Sequence, residues 1–249
     1  MDADALEAYR RRIGDEGPLH ADEATLRRLH RRHVLSVPFE NLDVVRRVPV
    51  SIDPAASFAK IVERGRGGWC FEMNGLFGEA LRAAGFRVDL LGATVGASEP
   101  GELNHLALLV HLETPWLADV GFGFGPLEPI ALREGETTFA AGTFRLARKG
   151  DVWNLDTPGE GPGYAFATQP RERIVFEPAN ARLQSDPASP FTSGPFVARA
   201  LEDGYLSLRN ADFARRRGGD IVEQRTLADG NEFRTLLVER FGLPAALEV

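Results

Sequence analysis

One run of the chain reads Arg66-Gly67-Gly68-Trp69-Cys70-Phe71-Glu72-Met73-Asn74-Gly75 and contains its only cysteine. A lone cysteine has no partner for an intrachain disulfide. A thiol at the start of a helix lies where free N–H groups and the helix dipole favour negative charge. The two glycines would allow a tight turn that directs N–H groups, such as those of residues 69–71, at a developing oxyanion. These features favour Cys70 as a nucleophile over a buried, inert cysteine.

The composition is that of a globular chain without a membrane anchor. The 249 residues are 43% hydrophobic and 26% charged, with a net charge of −7. No apolar stretch approaches the roughly 18 residues of a membrane helix, and the acidic N-terminus differs from a secretory signal. We therefore expect a cytoplasmic protein with no membrane or nucleic-acid partner. The one basic run, Arg215-Arg216-Arg217, is interpreted as a solvated turn, with an anion contact as the alternative.

Helical patterns dominate the first 85 residues. One helix is predicted to begin at Asp22-Glu23 and to end before Pro38, and another to begin at Asp53-Pro54. The clearest helix begins at Cys70, where apolar residues recur every three or four positions, and Gly85 would end it. Its apolar positions are Met73, Leu76, Phe77, Ala80, Leu81 and Ala84.

Strand patterns follow this third helix. A turn at Glu113-Thr114-Pro115 would join two of the strands as a hairpin, and a last helix is predicted over residues 232–241. The predicted strands are residues 86–95, 103–112, 116–122, 139–146 and 152–155.

The histidines offer one good base for Cys70. His105 and His111 share a predicted strand and one of its faces, but about 20 Å separates them, so only one can reach the thiol. His111 abuts the turn, which leaves His105 as the candidate. The three histidines of the helical segment are expected to be solvated or to cap helices; they are His20, His30 and His33.

Asp119 is the candidate partner of His105. An aspartate in an apolar strand is costly to bury unless it is paired, and His105 would supply the pair and have its tautomer fixed. The alternative is a solvent-facing aspartate at a strand end. For the two side chains to share a face, facing residues of the hairpin must have numbers of equal parity. We therefore predict a three-residue turn or a bulge rather than a two-residue turn.

Several motifs together resemble the arylamine N-acetyltransferase family. They include residues 66–75 around the nucleophile, and the His and Asp motifs at residues 105–110 and 119–123. The others are Val37-Pro38-Phe39-Glu40-Asn41-Leu42 and Ser189-Pro190-Phe191. The resemblance implies an α+β fold with a papain-like cysteine-triad core. A helical bundle (residues 1–85) would be followed by an antiparallel β-barrel (86–187) and an α/β lid (188–249).

The resemblance also implies ping-pong acyl transfer with acetyl-CoA as co-substrate and no metal. Cys70 would take the acyl group as a thioester and pass it to a small aromatic amine or hydrazine, with His105 moving the protons and Asp119 orienting it. Further positions carried over are Phe122 and Asn104 near the substrate, and Glu40 with Arg66 as an ion pair behind the nucleophile's loop. No Gly-Lys-Ser/Thr loop is present to hold the coenzyme phosphates, and the oligomeric state stays open.

Three other functions remain open at this point. An amide synthase would use the same cysteine on a polyketide acyl chain from an acyl carrier protein. A thiol hydrolase would use water in place of the amine, although Phe122 and Phe124 argue for a site that limits water. A non-enzymatic binding module would keep the scaffold with an inert thiol.

Overall fold

The computed structural model describes residues 1–97, 101–158 and 161–246. No helix in these ranges is both long and apolar enough to cross a bilayer. A π-helical turn, Ala59–Glu63, extends α4, and a 3-10 turn, Arg173–Phe176, precedes α6. The helices are α1 Ala3–Ile13, α2 Glu23–Ser36, α3 Leu42–Val45, α4 Pro54–Phe58, α5 Cys70–Ala83, α6 Glu177–Ser185 and α7 Gly230–Glu239.

The helices predicted in the N-terminal segment begin and end for the expected reasons. The Asp22 carboxylate accepts the Thr25 N–H at 2.8 Å to cap α2, and Asp53 caps α4 in the same way. The apolar stripe of α5 is buried against the sheet and the other helices. Gly85 follows α5 with a φ of +94°, a left-handed conformation that favours glycine.

An eight-stranded antiparallel sheet carries the middle of the chain, in the order β5-β4-β3-β2-β9-β8-β7-β6. Only residues 132–134 lie between its two edge strands, β5 and β6. At most about 15 Å can therefore separate their adjoining ends, and the sheet curls into a nearly closed barrel. Its strands are β2 Arg87–Val95, β3 His105–His111, β4 Trp116–Ala118, β5 Ile130–Ala131, β6 Gly135–Phe139, β7 Gly142–Lys149, β8 Val152–Asp156 and β9 Tyr164–Ala167.

A second sheet joins the two ends of the chain. Its order is β1-β10-β11-β12-β13, and β1, Phe39–Glu40, comes from the N-terminal segment. Helix α7 packs its Leu236 and Leu237 against the apolar side of this sheet. The predicted α+β class is confirmed. The remaining strands are β10 Phe196–Leu201, β11 Gly204–Arg209, β12 Asp212–Arg217 and β13 Asp220–Thr226.

Three predicted elements differ from the structure in kind or by more than two residues at one end. The strand predicted over residues 116–122 ends at Ala118, because side chains and not a neighbouring strand take the hydrogen bonds of the next residues. The strand predicted over residues 139–146 contains the turn between β6 and β7, where Phe139 faces Gly142. The run Arg215-Arg216-Arg217 lies in β12 and is not a turn.

Candidate active site

Cys70 is the first residue of α5 and is 5% exposed. Two residues further on, the Glu72 carboxylate reaches back to accept the Trp69 N–H at 3.1 Å, which caps the helix. The Trp69 N–H is therefore occupied. Of the three N–H groups predicted to face an oxyanion, those of Cys70 and Phe71 remain as candidates.

The glycines around Cys70 allow close backbone approach. No turn falls at Gly67 or Gly68, and Gly68 pairs with Phe39 in a parallel β-bridge, so the prediction that the two glycines serve a tight turn is wrong. A Cβ on Gly67 would instead fall on the Pro38 carbonyl oxygen, where the loop pairs with β1. A Cβ on Gly121 would lie 2.6 Å from the Cys70 Cα. Both sites exclude any larger residue without movement of the backbone.

The structure brings His105 and Asp119 together behind Cys70. His105 Nε2 lies 2.6 Å from Asp119 Oδ2, and both side chains are buried. The ring also lies near enough to Cys70 for that residue to raise the pKa of His105, and because Nε2 is bound to Asp119, Nδ1 is the ring nitrogen left to face the sulfur. In the β3–β4 hairpin Leu108 faces Ala118, so facing residues have equal parity and both side chains share one face, as predicted. The predicted three-residue turn or bulge is wrong, because Val110 faces Trp116 and the five residues 111–115 connect them without a register shift.

The electrostatics of this group favour a charged imidazole. Burial alone would lower the pKa of His105, but the Asp119 carboxylate and Cys70 raise it to about 10. Burial opposes the ionisation of Asp119, yet His105 and further hydrogen bonds keep the pKa of Asp119 below its usual value. At neutral pH the sulfur thus faces an imidazolium held by a carboxylate.

Two further side chains that contact the group were not predicted from sequence. Asn74 Nδ2 donates to Asp119 Oδ1 at 2.8 Å, and Asn74 Oδ1 accepts the Val120 N–H at 2.9 Å. Its position one turn after Cys70 is a signal that could have identified it. The ring of Tyr164 lies 5.0 Å from that of His105. Burial and the Asp119 charge hold the pKa of Tyr164 well above its usual value, so the phenol stays protonated.

The two residues expected near a substrate differ in their surroundings. Phe122 is half-buried, and its ring meets that of His105 edge-on at 5.3 Å. The side-chain oxygen of Asn104 accepts the Val95 N–H at 2.7 Å, which closes the connection between β2 and β3. A side-chain bond of this kind to the backbone is typical of a residue that stabilises a turn.

A buried ion cluster lies behind the loop that precedes Cys70. The expected pair is present, with Arg66 Nη2 2.7 Å from Glu40 Oε1. Sequence reasoning missed Lys60, which lies 2.9 Å from both Asp43 and Glu72. Burial would lower the pKa of Lys60, but the three carboxylates raise it. Burial raises the pKa of Glu72 to about 7 although Lys60 lowers it, so desolvation dominates at Glu72 and pairing at Lys60.

The N-terminal histidines do not all behave as predicted. His20 is exposed, but His30 and His33 are completely buried in α2, so the expectation of solvated or capping side chains is wrong for these two. His33 Nδ1 is 2.7 Å from the Tyr9 hydroxyl. His111 is partly exposed and forms a 2.6 Å pair with Asp89, remote from Cys70 along the strand.

A cleft of about 600 Å³ opens beside Phe122 between the barrel and the second sheet. Two arginines line it, each over an aromatic ring: Arg209 lies 4.7 Å from the Phe196 ring centre, and Arg216 lies 5.6 Å from that of Tyr205. In the described part of the chain neither guanidinium has a carboxylate within salt-bridge distance. Arg217, on the opposite face of β12, pairs with Asp203.

The fold and this group of residues define a class: α+β proteins with a buried Cys-His-Asp triad whose cysteine begins a helix. Comparison with known proteins then narrows the class. The model of a family described as N-acetyltransferase matches residues 22–248. An arylamine N-acetyltransferase from Escherichia coli is 36% identical over 248 residues, covering 96% of this chain and 88% of that protein.

Solved structures agree with the sequence comparison. That of the Salmonella typhimurium arylamine N-acetyltransferase has a TM-score of 0.91 at 33% identity, covering 100% of this chain and 94% of that one. The Mycobacterium marinum enzyme in complex with CoA has a TM-score of 0.88 at 32% identity, covering 96% and 92%. The chain belongs to the arylamine N-acetyltransferase family and is an acyltransferase.

Proposed function

We propose that this enzyme transfers an acetyl group from acetyl-CoA to the nitrogen of a small aromatic amine or hydrazine. The proposal rests on one observation: Cys70 lies beside a His105 ring that is itself paired with the buried Asp119. This arrangement suits nucleophilic catalysis, because the imidazole can hold the thiol proton while the sulfur attacks. Names of relatives, which include arylamine N-acetyltransferases from bacteria and birds, point to the same acceptor class.

The reaction divides into two balanced halves. The Cys70 sulfur attacks the acetyl carbonyl, the bond from carbon to the coenzyme sulfur breaks, and the leaving thiolate takes the proton held on His105. In the second half the amine attacks the thioester, His105 takes a proton from the amine, and the Cys70 thiolate leaves. The N–H groups of Cys70 and Phe71 are the proposed donors to the oxyanion of each tetrahedral intermediate.

The cleft beside Phe122 is the proposed entry for both substrates. Its aromatic side chains suit an arylamine, and a ping-pong order lets donor and acceptor use one entry in turn. Among the described residues no carboxylate lies within salt-bridge distance of Arg209 or Arg216, so we propose that these two side chains hold the coenzyme phosphates.

The first expected result is an acetylated protein. Incubation with acetyl-CoA should add one acetyl group to the wild-type chain and none to the Cys70→Ala variant, because the chain has no other thiol. Intact mass spectrometry measures this directly. Addition of an arylamine should remove the acetyl group, with one acetylated amine formed per protein. An adduct that persists on the alanine variant, or no adduct on the wild type, would contradict the proposal.

The second expected result concerns the arginines. The Arg216→Gln substitution should raise KM for acetyl-CoA about tenfold and leave kcat nearly unchanged, since a charged hydrogen bond to phosphate contributes about 1.5–3 kcal/mol. Acetyl-pantetheine, a donor without phosphates, should show the same KM with both proteins. Arg217→Gln is the matched control, because Arg217 is the next residue of β12 and is paired with Asp203. An equal KM increase for both donors would show that Arg216 does not bind phosphate.

The other candidate functions lack support from the comparisons. No relative reported above is an amide synthase or a hydrolase, and nothing points to an acyl carrier protein. The cytoplasmic location stays a prediction. In the described residues no group of three or more His, Cys, Asp or Glu side chains is placed to hold a metal ion.

A further inference from the structure

The segment from Asp119 to Leu127, here called the site loop, is bridged at its base by one side chain from α2. The Asp119 N–H donates to His30 Nε2 at 3.2 Å, and His30 Nδ1 lies 3.0 Å from the Leu127 carbonyl oxygen. A carbonyl only accepts, so Nδ1 carries the proton and Nε2 offers its lone pair. His30 therefore contacts both ends of the site loop at once, and its ring fits this role only in the neutral form.

The surroundings hold His30 in that form and place. The side chain is completely buried, and its ring meets that of Phe77 edge-on at 5.9 Å. Burial, opposed only in part by the bond to the Leu127 carbonyl and by the Asp119 charge, lowers the pKa of His30 to about 4. Two arginines of the same helix bind the residue that follows the site loop: Arg27 and Arg31 lie 2.9 and 3.4 Å from Glu128. Helix α2 thus anchors the far end of the loop at three points.

The site loop carries the groups that shape the site. The Asp119 carboxylate faces His105, and the Gly121 N–H donates to Asp119 Oδ1 at 3.0 Å. Gly121 also packs against the backbone of Cys70, and Phe122 meets the His105 ring. A shift at the base of the loop would move all of these together relative to the sulfur.

We infer that His30 is a positioning residue for acetyl transfer: by accepting the Asp119 N–H and binding the Leu127 carbonyl, it fixes the main chain that directs the Asp119 carboxylate at His105. The inference rests on the proposed function. His30 touches neither the sulfur nor a substrate in this role. It acts through the orientation of Asp119 and hence through the charge on His105.

The His30→Leu substitution tests the inference, with His33→Leu as the matched control. Both histidines are fully buried in α2, contact Phe77 and make a buried hydrogen bond, but His33 binds Tyr9 and not the site loop. His30→Leu leaves the Asp119 N–H without an acceptor. We expect the rate of Cys70 acetylation to fall about 10- to 100-fold, the cost of a misplaced catalytic group, while KM for acetyl-CoA changes little. His33→Leu should retain the rate within about threefold at a similar loss of stability.

A second measurement separates positioning from general destabilisation. The rate of Cys70 alkylation by iodoacetamide, followed from pH 5 to 9, reports whether an imidazolium faces the sulfur. His30→Leu should move this profile to higher pH, and His33→Leu should leave it in place. His30→Gln, whose amide offers one acceptor and one donor, should return most of the rate and the profile. An unchanged profile in folded His30→Leu, or the same shift in His33→Leu, would overturn the inference.

A wild-type measurement covers the case in which His30→Leu does not fold. Nitrogen NMR of ¹⁵N-histidine-labelled protein near pH 7 should show His30 neutral with its proton on Nδ1. A proton on Nε2 would overturn the inference, because that atom could not accept the Asp119 N–H. Failure of the proposed function and failure of this inference give different results. If wild-type Cys70 forms no acetyl adduct, the proposed function is wrong. If the adduct forms equally fast in His30→Leu, only the role of His30 is wrong.

Discussion

The Asp119→Asn substitution should lower the rate of acetyl transfer by about 10³- to 10⁴-fold while the protein stays folded. The amide keeps the size of the side chain but removes the charge that chiefly raises the pKa of His105 to about 10. It can also donate its N–H to Nε2, which leaves the ring proton on Nδ1, facing the sulfur. An imidazole in that tautomer cannot accept the thiol proton, and the same loss of tautomer control costs a serine triad about 10⁴ in kcat.

The rate of Cys70 alkylation should depend on pH differently in the wild type and in Asp119→Asn. In the wild type the imidazolium persists as pH rises until the pKa of His105, about 10, is reached, so Cys70 should be alkylated at a nearly constant rate from pH 6 to 8. In Asp119→Asn the pKa of His105 falls, because burial continues to lower it and the opposing charge is gone. The alkylation rate of the variant should then fall at least tenfold between pH 8 and pH 6.

The chain provides a matched control for Asp119. Asp89 on β2 forms a pair with His111 on the neighbouring strand β3 at the same 2.6 Å distance, but far along the strand from Cys70. Asp89→Asn should leave turnover within about twofold and the alkylation profile unchanged. If Asp119→Asn retained more than about a tenth of wild-type turnover, the carboxylate would not have the role assigned to it.

The Lys60→Met substitution should lower the free energy of unfolding by about 3–5 kcal/mol. Methionine fills a similar volume, but the Glu72 carboxylate would then have no cation within salt-bridge distance among the described residues, while Glu40 and Asp43 would keep Arg66. Removal of one partner from a buried ion cluster leaves charge that neither water nor a cation compensates. Urea unfolding followed by tryptophan fluorescence measures the change.

The pH dependence of the stability deficit separates loss of charge pairing from loss of packing. Without Lys60 the pKa of Glu72 must rise above its wild-type value of about 7. A carboxyl group whose folded pKa is raised contributes stability while it is protonated and loses it as pH rises through that pKa. The deficit of Lys60→Met should therefore be larger at pH 8 than at pH 5. Lys149→Met, at the chain's only other lysine, replaces an exposed side chain and should change stability by less than about 0.5 kcal/mol. A deficit independent of pH would contradict the charge argument.

Local sequence signals predicted α2, α4, α5, α7 and the two strands that flank the hairpin, because caps, apolar spacing and strand parity are properties of neighbouring residues. The start of α5 at Cys70 and the shared face of His105 and Asp119 follow from such signals. The end of β4 at Ala118 does not, because the hydrogen bonds that replace the ladder come from His30 and Asn74, far away in sequence.

The polar interior of the molecule was the hardest part to predict. A buried histidine on α2 has the same local pattern as a solvated one, and only the tertiary fold shows that His30 meets Asp119. Lys60 likewise lies on a helical turn whose pattern does not reveal that three carboxylates converge on it. Long-range pairing of this kind depends on where whole elements pack, and a single sequence does not state it.

The two-residue strand β1 couples the loop before Cys70 to the far end of the chain. Phe39 and Glu40 pair with β10 on one side, and the Glu40 N–H donates to the Gly68 carbonyl at 2.9 Å on the other. The C-terminal sheet thus cannot separate from the helices unless β1 loses its pairing, either with β10 or with the segment that leads into α5. The sheet should therefore melt in the same cooperative transition in which the geometry around the reactive thiol is lost. A chain cut short before Phe196 would lack both the sheet and that geometry.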